Sequence, residues 1–383
     1  MPSKRHLNPL RFIRNIRRIL DVTKASKRSI KVDKAKTTYL LPCVKNTILV
    51  IIAITLAETF RINVIARFIP LKVSLKQKQK RLLRFLERDY PTTSVMKQWA
   101  LFVLRKLYGK TKSKVVLLID ETDLLFGYKA IVVAIPFRMR AIPIYFRVYT
   151  NEQIQDMVYM SHNTLVWNFL HELKQLQHQA LSKRQRFIWV FDRGKALVKL
   201  MIKLKAWKVG FIIRACRNVG IHVEGYVGQL GQFQRRGYFE NIVYHKDERI
   251  RVNLYCAWDE SYDEPMLLVS NQACNLLLLY SQRMKIEEAF RDLKSLFGFR
   301  SLVLKDDSQP RVELLWLMCV MSMGLSLILY EKSGYRWAKQ RNDNHKRCSL
   351  INVIKQVLKK RFNSFSLKPY FTLPLCSADI VAI

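Results

Sequence analysis

Residues 280–294 read YSQRMKIEEAFRDLK, and we begin with this stretch because its charged and apolar positions both recur at helical spacing. At about 100° per residue, four of its polar residues fall on one stripe of an α-helix about 60° wide, namely Tyr280, Arg283, Glu287 and Lys294. Since nothing in the stretch breaks a helix, we predict one uninterrupted α-helix that presents a carboxylate between two cations. Taken alone, the same pattern is typical of an ordinary amphipathic helix with solvated charges.

The composition indicates a large core and a polyanionic partner. The chain has 383 residues, 50% of them apolar, which suggests two or three domains or one large domain with additions. Its 67 Lys and Arg residues against 29 Asp and Glu residues give a formal charge of +38, which favours nucleic acid as the partner. An anionic membrane is the rival partner, but the apolar run at 47–57 is too short to cross a bilayer. We therefore predict a buried helix there and no membrane partner.

The seven cysteines are widely scattered and odd in number, a pattern typical of neither a zinc site nor a disulfide scaffold. A reducing cytosol is therefore the expected location.

The N-terminal part is basic and helical in pattern. Residues 1–36 contain twelve Lys or Arg residues and only two acidic ones, which favours phosphate contact over a solvated tail. Residues 46–107 carry three apolar helical patterns, and six basic residues without an acid occupy 71–84. We predict that 1–111 is a basic helical DNA-binding region, although a generic basic bundle would show the same pattern.

From residue 115 onward, apolar runs of strand length alternate with helical patterns. The predicted strands lie at 115–120, 128–137, 141–150, 186–194 and 209–216, with helices at 163–181 and 197–207. The order β β β α β α β indicates an α/β core. Residues 217–271 look β-rich, with a hairpin at 241–258, and 311–332 is predicted to be a buried helix rather than a membrane span.

Three acidic residues, two at strand ends and one on the helix, are candidates for binding metal ions. Asp120 and Asp192 end apolar strands, and Glu287 stands on the helix described above. Such carboxylates can share two divalent ions about 4 Å apart, with Mg²⁺ expected and Mn²⁺ able to substitute, and such a pair acts on phosphorus. Each acid alone is weak support, because an Asp after a strand is more often a turn or cap residue, and Asp123 could equally cap a helix.

With these motifs in place, the sequence resembles the bacterial insertion-sequence transposases of the DDE superfamily, in the group marked by a Y-x2-R-x3-E-x6-K signature. All four signature positions match, at Tyr280, Arg283, Glu287 and Lys294. The sequence motifs IDET at 119–122 and FDRG at 191–194 also resemble motifs of the family. The resemblance runs through 46–332, and Met284 departs from it where the group often has Trp.

The resemblance implies a fold and an activity. It implies an RNase H-like catalytic core at 112–216 and 272–300, interrupted by a β-rich insertion at 217–271 and followed by a helical C-terminal region at 301–383. It further implies a DNA transposase that binds the terminal inverted repeats of an insertion sequence as a homodimer. Such an enzyme cleaves DNA by two-metal hydrolysis with Mg²⁺ and joins the 3′-hydroxyl ends to target DNA in cut-and-paste transposition. The expected location is the bacterial cytoplasm, in association with the nucleoid.

The resemblance also implies roles for particular residues. The catalytic and metal-binding residues would be Asp120, Asp192 and Glu287. The residues assigned to DNA binding are Tyr280, Arg283, Lys294, Arg193, Arg214 and Trp258. Of these, two are implied to clamp phosphates near the cleaved end, namely Arg283 and Lys294. Trp258 would take up a base flipped from the duplex, with a core tryptophan as the alternative.

Three alternatives stay open from the sequence. Arg283 could form an intrahelical pair with Glu287 instead of contacting phosphate. Glu288 lies off the stripe and is predicted to be an exposed helix charge. The activity could be that of a nuclease on the same core without strand transfer, or the chain could be an inactive DNA-binding derivative.

Overall fold

A computed structural model of the protein describes residues 15–16, 34–57, 59–109, 114–155, 161–180, 185–245, 247, 249–257 and 264–332. Most of the predicted basic arm at 1–36, Trp258 and the C-terminal tail beyond 332 lie outside these residues. The chain divides into two compact units, one made of 1–99 with 290–383 and the other of 100–289.

The sheet lies within the unit formed by 100–289. Its strands are β1 Val115–Asp123, β2 Lys129–Phe137, β3 Arg140–Tyr149, β4 Phe187–Phe191, β5 Gly210–Arg214, β6 Gly220–Val223, β7 Tyr226–Gln229, β8 Gly237–Tyr244, β9 Ile250–Ala257 and β10 Met266–Ser270. They form one sheet in the order β3-β2-β1-β4-β5-β10-β9-β8-β6-β7. The strands β1, β4 and β5 are parallel, and the other neighbouring pairs are antiparallel. The β-rich residues 217–271 therefore extend the main sheet through β10.

The central strands form because their sequences are continuous apolar runs, as strands buried on both faces require. In β4, four of the five residues are buried. The predicted run at 115–120 is too short, because Glu121 to Asp123 continue to pair with β2. Asp123 therefore ends a strand, and the alternative in which it caps a helix is wrong.

The described helices are α1 Lys34–Leu56, α2 Ile62–Arg67, α3 Leu75–Glu87, α4 Thr92–Tyr108, α5 Asn151–Gln155, α6 His162–Ala180, α7 Val198–Ala206, α8 Leu276–Tyr280, α9 Met284–Arg291 and α10 Gln309–Lys332. Helix α6 packs on the sheet through Tyr145 of β3, whose ring stacks on Phe169 at 5.4 Å. The Tyr145 hydroxyl also donates to Glu172 at 2.7 Å. The helical patterns predicted between residues 46 and 107 are all present.

The prediction of one uninterrupted α-helix at 280–294 is wrong in detail. The chain passes from α8 through a 3₁₀ turn at Ser281–Arg283 into α9, and then into a π-helical turn at Asp292–Leu296. The Ser281 hydroxyl donates to the Leu278 carbonyl at 2.9 Å, a local bond that competes with regular helical pairing. The constant step of 100° per residue, on which the predicted stripe depends, is therefore not kept from Tyr280 to Lys294.

In the unit formed by 1–99 and 290–383, α1 packs against α10. The Ser322 hydroxyl of α10 donates to the Ile51 carbonyl of α1 at 3.3 Å. By length and composition the window Gln309–Ile328 could cross a membrane, but 89% of it is buried inside the molecule. This agrees with the prediction of a buried packing helix.

Candidate active site

The register of two parallel strands places Asp120 next to Asp192. Ile119 of β1 lies opposite Phe191, the last residue of β4; Asp120 is the next residue of β1, and Asp192 directly follows β4. Neighbouring strands lie about 4.8 Å apart, so both carboxylates emerge at the same edge of the central sheet. The sequence-based pairing of these two acids is thus explained by the fold.

Arg283 gathers the three predicted acids around one guanidinium group. Its Nη1 donates to Asp120 Oδ2 at 2.8 Å, its Nη2 donates to Glu287 Oε1, and its Nε lies 3.9 Å from Asp192 Oδ1. The Arg283 side chain is only 13% exposed. The intrahelical pair with Glu287 that the sequence allowed is therefore present, and it forms part of a four-residue ionic cluster.

Tyr280 is buried and belongs to the same cluster. Its hydroxyl donates to Asp192 Oδ1 at 3.2 Å. Burial raises the pKa of Tyr280 to about 12, so the phenol stays protonated and remains a donor at neutral pH. Asp192 precedes the 3₁₀ turn Arg193–Lys195, and its side chain makes no capping bond there.

The environment of Asp120 disfavours its charged form. Burial raises the pKa of this carboxyl to about 6, against the opposing effects of Arg283 and of the Glu121 backbone N–H, which donates to it at 2.9 Å. The neighbouring charges of Asp192 and Glu287 raise it further. Three carboxylates close to one guanidinium leave an excess of negative charge, so the cluster favours an additional cation.

Glu121 belongs to a separate ionic cluster. Successive residues of a strand point to opposite faces of the sheet, so Glu121 faces away from Asp120. Its Oε1 is bound by His162 Nε2 at 2.8 Å and by Lys195 Nζ at 2.9 Å. Burial raises the pKa of Glu121, but the contacts with His162 and Lys195 outweigh it and hold that pKa below its usual value. Lys195 follows Asp192 by three residues, and the sequence analysis missed both it and His162.

The prediction for Glu288 is also corrected by the structure. Instead of an exposed helix charge, it is partly buried and lies 3.7 Å from Arg140 Nη1 at the start of β3. The reason is that the Arg140 side chain of β3 reaches this face of α9, a tertiary contact that the helical period alone could not reveal.

Two further residues predicted to bind DNA pair with a different carboxylate. Arg193 and Arg214 both contact the carboxylate of Glu264. Lys294 lies in the π-helical turn, in the unit that does not contain the three acids.

The three acids fit a hard cation by chemistry, although Arg283 now lies among them. No group of three or more His, Cys, Asp or Glu side chains within the described ranges is arranged to hold one metal ion. Asp120 and Glu287 instead contact different nitrogens of Arg283. Their donor atoms are nevertheless all carboxylate oxygens, the ligands that Mg²⁺ and Mn²⁺ prefer.

A mixed sheet with clustered carboxylates at the ends of neighbouring strands is typical of enzymes that use acidic side chains for chemistry. Residues 160–323 match the family model described as transposase DDE domain, a segment that includes Asp192 and Glu287 but not Asp120. The predicted resemblance to DDE transposases is thereby confirmed. DDE transposases generally use divalent metal ions.

Comparisons with individual proteins add little. No curated protein matches this chain. Among solved structures, a piggyBac transposase in a synaptic complex with hairpin DNA is similar at a TM-score of 0.47 and 12% sequence identity, over 98% of this chain and 85% of that chain. At this TM-score the similarity establishes neither a shared fold nor a shared activity.

Proposed function

We propose that the protein is a DNA transposase of an insertion sequence that cleaves DNA at the terminal inverted repeats and joins the freed 3′-hydroxyl ends to target DNA. The observation that supports this most is the convergence of Asp120, Asp192 and Glu287, which are far apart in sequence, on one buried cation. The match of 160–323 to the transposase DDE domain gives this acid cluster its family context.

The proposed catalytic core is RNase H-like and consists of 112–216 and 272–300, interrupted by the insertion at 217–271. The strand order β3-β2-β1-β4-β5 supports this proposal, with two antiparallel pairs followed by two parallel ones. In such an arrangement the ends of β1 and β4 are central and adjacent. Asp192 directly follows β4, and Asp120 lies where β1 stops pairing with β4 and continues beside β2.

Asp120, Asp192 and Glu287 would hold Mg²⁺, in our proposal two ions, and Mn²⁺ would substitute. When bound, the ions lower the pKa of water and neutralise charge on the reacting phosphate. The protein prepares this site by fixing its ligands. The Glu121 backbone N–H fixes the Asp120 carboxylate, and the Tyr280 hydroxyl fixes that of Asp192.

Arg283 has two successive roles in this proposal. Without divalent ions, its guanidinium neutralises the three acids and keeps them close together. The guanidinium must leave these oxygens before a divalent ion can take them. A planar guanidinium released next to the site is suited to bind a phosphate of the cleaved strand in a bidentate manner. The phosphate contact predicted for Arg283 and its observed pairing with the three acids are therefore two successive states of the same side chain in this proposal.

Double-stranded DNA is the proposed partner because the chain carries an excess of 38 positive charges. Some of these charges line a cleft of about 480 Å³ on α3, whose basic residues are Lys80, Arg81, Arg84 and Arg88. We further propose a homodimer on the paired element ends, without a membrane partner, in the bacterial cytoplasm at the nucleoid.

The proposed function is tested by incubating the purified protein with Mg²⁺, a target plasmid and a donor plasmid that carries the gene with its flanking DNA. The expected products are donor fragments covalently joined to target DNA and bordered by short direct duplications of the target. A donor that is cut but never joined would identify a nuclease. A donor that is only bound would identify an inactive derivative.

A further inference from the structure

Three arginines converge on one carboxylate next to the candidate active site. Arg193 Nη2 bonds Glu264 Oε2 at 2.5 Å, Arg214 Nη2 lies 3.4 Å from the same oxygen, and Arg217 Nη1 lies 3.9 Å from Oε1. Arg193 directly follows Asp192 in the chain, and Arg214 ends β5. The three guanidinium groups therefore form one positive surface, hereafter the arginine cluster, beside an acid of the site.

The Glu264 carboxylate neither neutralises the whole charge of the arginine cluster nor accepts from all of its N–H donors. Three positive charges meet one negative charge, and each guanidinium carries five N–H donors. The Nε atoms of Arg193 and Arg214 are buried and have no hydrogen-bond partner among the described residues. Asp192 also acts electrostatically on Arg193, but its Oδ1 is engaged by Tyr280 and lies near Arg283. The arginine cluster thus has more positive charge and more donors than one carboxylate needs.

The Glu264 carboxylate is also easy to displace. Its side chain is 38% exposed and that of Arg217 is 47% exposed. Ion pairs at such exposed positions contribute little to stability, because water competes for both partners. The pKa of Glu264 is held below its usual value by its hydrogen bond with Arg193 and by the charges of the arginines, so the carboxylate is an anion at neutral pH.

We propose that the arginine cluster, Arg193, Arg214 and Arg217, is a binding site for a DNA backbone phosphate, and that Glu264 occupies it as an internal counter-anion until DNA displaces it. Guanidinium groups bind phosphate through paired N–H donors, as they bind carboxylate, so the exchange replaces one anion with a similar one. The proposal rests on the proposed function only for the source of the phosphate. The competing explanation is that Glu264 simply ties the start of β10 to β5.

The first test compares Glu264→Gln with the wild-type protein in binding to a short DNA duplex, measured by fluorescence anisotropy over a series of salt concentrations without divalent metal. The side chain keeps its shape but loses its charge, so we expect several-fold tighter binding at low salt. We expect the slope of log affinity against log salt to stay unchanged, since the same phosphate is neutralised in both proteins and only the competing carboxylate is lost. Glu224→Gln is the matched control, because it removes one carboxylate from an exposed pair with Arg235, and both residues lie in loops between strands of the same sheet.

The second test measures melting temperature with and without inorganic phosphate. Glu264→Gln should melt at a lower temperature than the wild type, and millimolar phosphate should restore most of the loss. Adding Arg217→Ala to Glu264→Gln should weaken the phosphate effect and lower the salt slope by up to about 1, because one of the cations that meet the phosphate is lost. If Glu264→Gln is poorly folded, Glu264→Asp retracts the carboxylate while keeping its charge and should show a smaller phosphate effect of the same sign.

The proposal is overturned if Glu264→Gln binds DNA no more tightly at low salt than Glu224→Gln does, or if phosphate does not restore its melting temperature. Neither measurement uses cleavage or joining. A protein that failed to transpose DNA would therefore leave this result intact, and a failure here would leave the transposase proposal standing.

Discussion

Arg283 is the residue on which the state of the acid cluster depends. It touches all three carboxylates and is itself largely buried, so its position decides whether those oxygens face a guanidinium or another cation. An arginine in this position also limits the repulsion among three neighbouring acids. The chemistry of the site therefore starts with an exchange of cations, in our proposal.

The first prediction concerns Asp120. Because burial raises its pKa from 3.8 to about 6, the folded state binds this proton more tightly than the unfolded state. The stability that the carboxyl contributes is therefore complete below pH 3.8 and is lost as the pH rises through 6. Asp120→Asn should raise the free energy of unfolding at pH 7.5 by about 2 kcal/mol and change it little at pH 4.

This difference is measured by urea unfolding in the presence of a chelator. Asp123→Asn removes a carboxyl from the exposed end of the same strand and is the control. A stabilisation by Asp120→Asn that is equal at both pH values would contradict the assigned cause.

The second prediction separates two adjacent glutamates. Glu288→Gln weakens a partly exposed pair with Arg140, so it should cost less than about 1 kcal/mol and leave DNA cleavage near the wild-type rate. Glu287→Gln changes a member of the acid cluster and should abolish cleavage. Equal loss of cleavage in both variants would show that the position of Glu287 in the cluster is not what matters.

At the scale of elements, β1 and the 3₁₀ turn after β4 are linked by Lys195. Its Nζ lies 2.9 Å from Glu121 of β1, and its side chain is only 13% exposed. This ion pair connects β1 to the turn after β4 on one face of the sheet, and Asp120 lies on the opposite face. In our proposal Lys195 positions the acids and takes no part in the chemistry.

The third prediction is that Lys195→Met lowers the free energy of unfolding at pH 7 by about 1 to 2 kcal/mol, since Glu121 then loses its lysine partner and keeps its contact with His162. The pKa of Glu121 is lowered in the folded state, so its contribution exists above pH 4.5 and is lost as the pH falls. The cost of Lys195→Met should therefore shrink in acid. Lys199→Met, at an exposed position on α7, is the control, and a pH-independent cost would refute the link.

The elements could be predicted from sequence where one local signal dominated. The central strands were found because they are continuous apolar runs between polar turns. The changes of helix type around Tyr280 were not found, because they depend on local hydrogen bonds such as that of Ser281. Asp120, Asp192 and Glu287 were identified through motifs, and strand register explains why the first two meet. The contact between Glu264 and the arginine cluster spans 47 to 71 residues of chain and has no local signal.

At the scale of the whole molecule, the excess positive charge is the feature on which we expect DNA binding to depend. The fourth prediction is that Arg84→Ala and Arg88→Ala, which alter the cleft on α3, each lower the slope of log DNA affinity against log salt by about 1. Lys76→Ala removes the same charge from an exposed position of α3 that does not line the cleft. An equal change of slope for Lys76→Ala would mean that the cleft has no special part in binding.

The central claim is that Asp120, Asp192 and Glu287 form one catalytic site, and cleavage of a labelled element end in Mg²⁺ tests it most directly. Each acid is replaced by Ala in turn, and DNA binding is measured on the same samples. We expect all three variants to bind the element end nearly as well as the wild type, because affinity comes mainly from phosphate contacts elsewhere, and to show no cleavage in Mg²⁺ or Mn²⁺. Cleavage at the wild-type rate by any one of the three variants would contradict the claim.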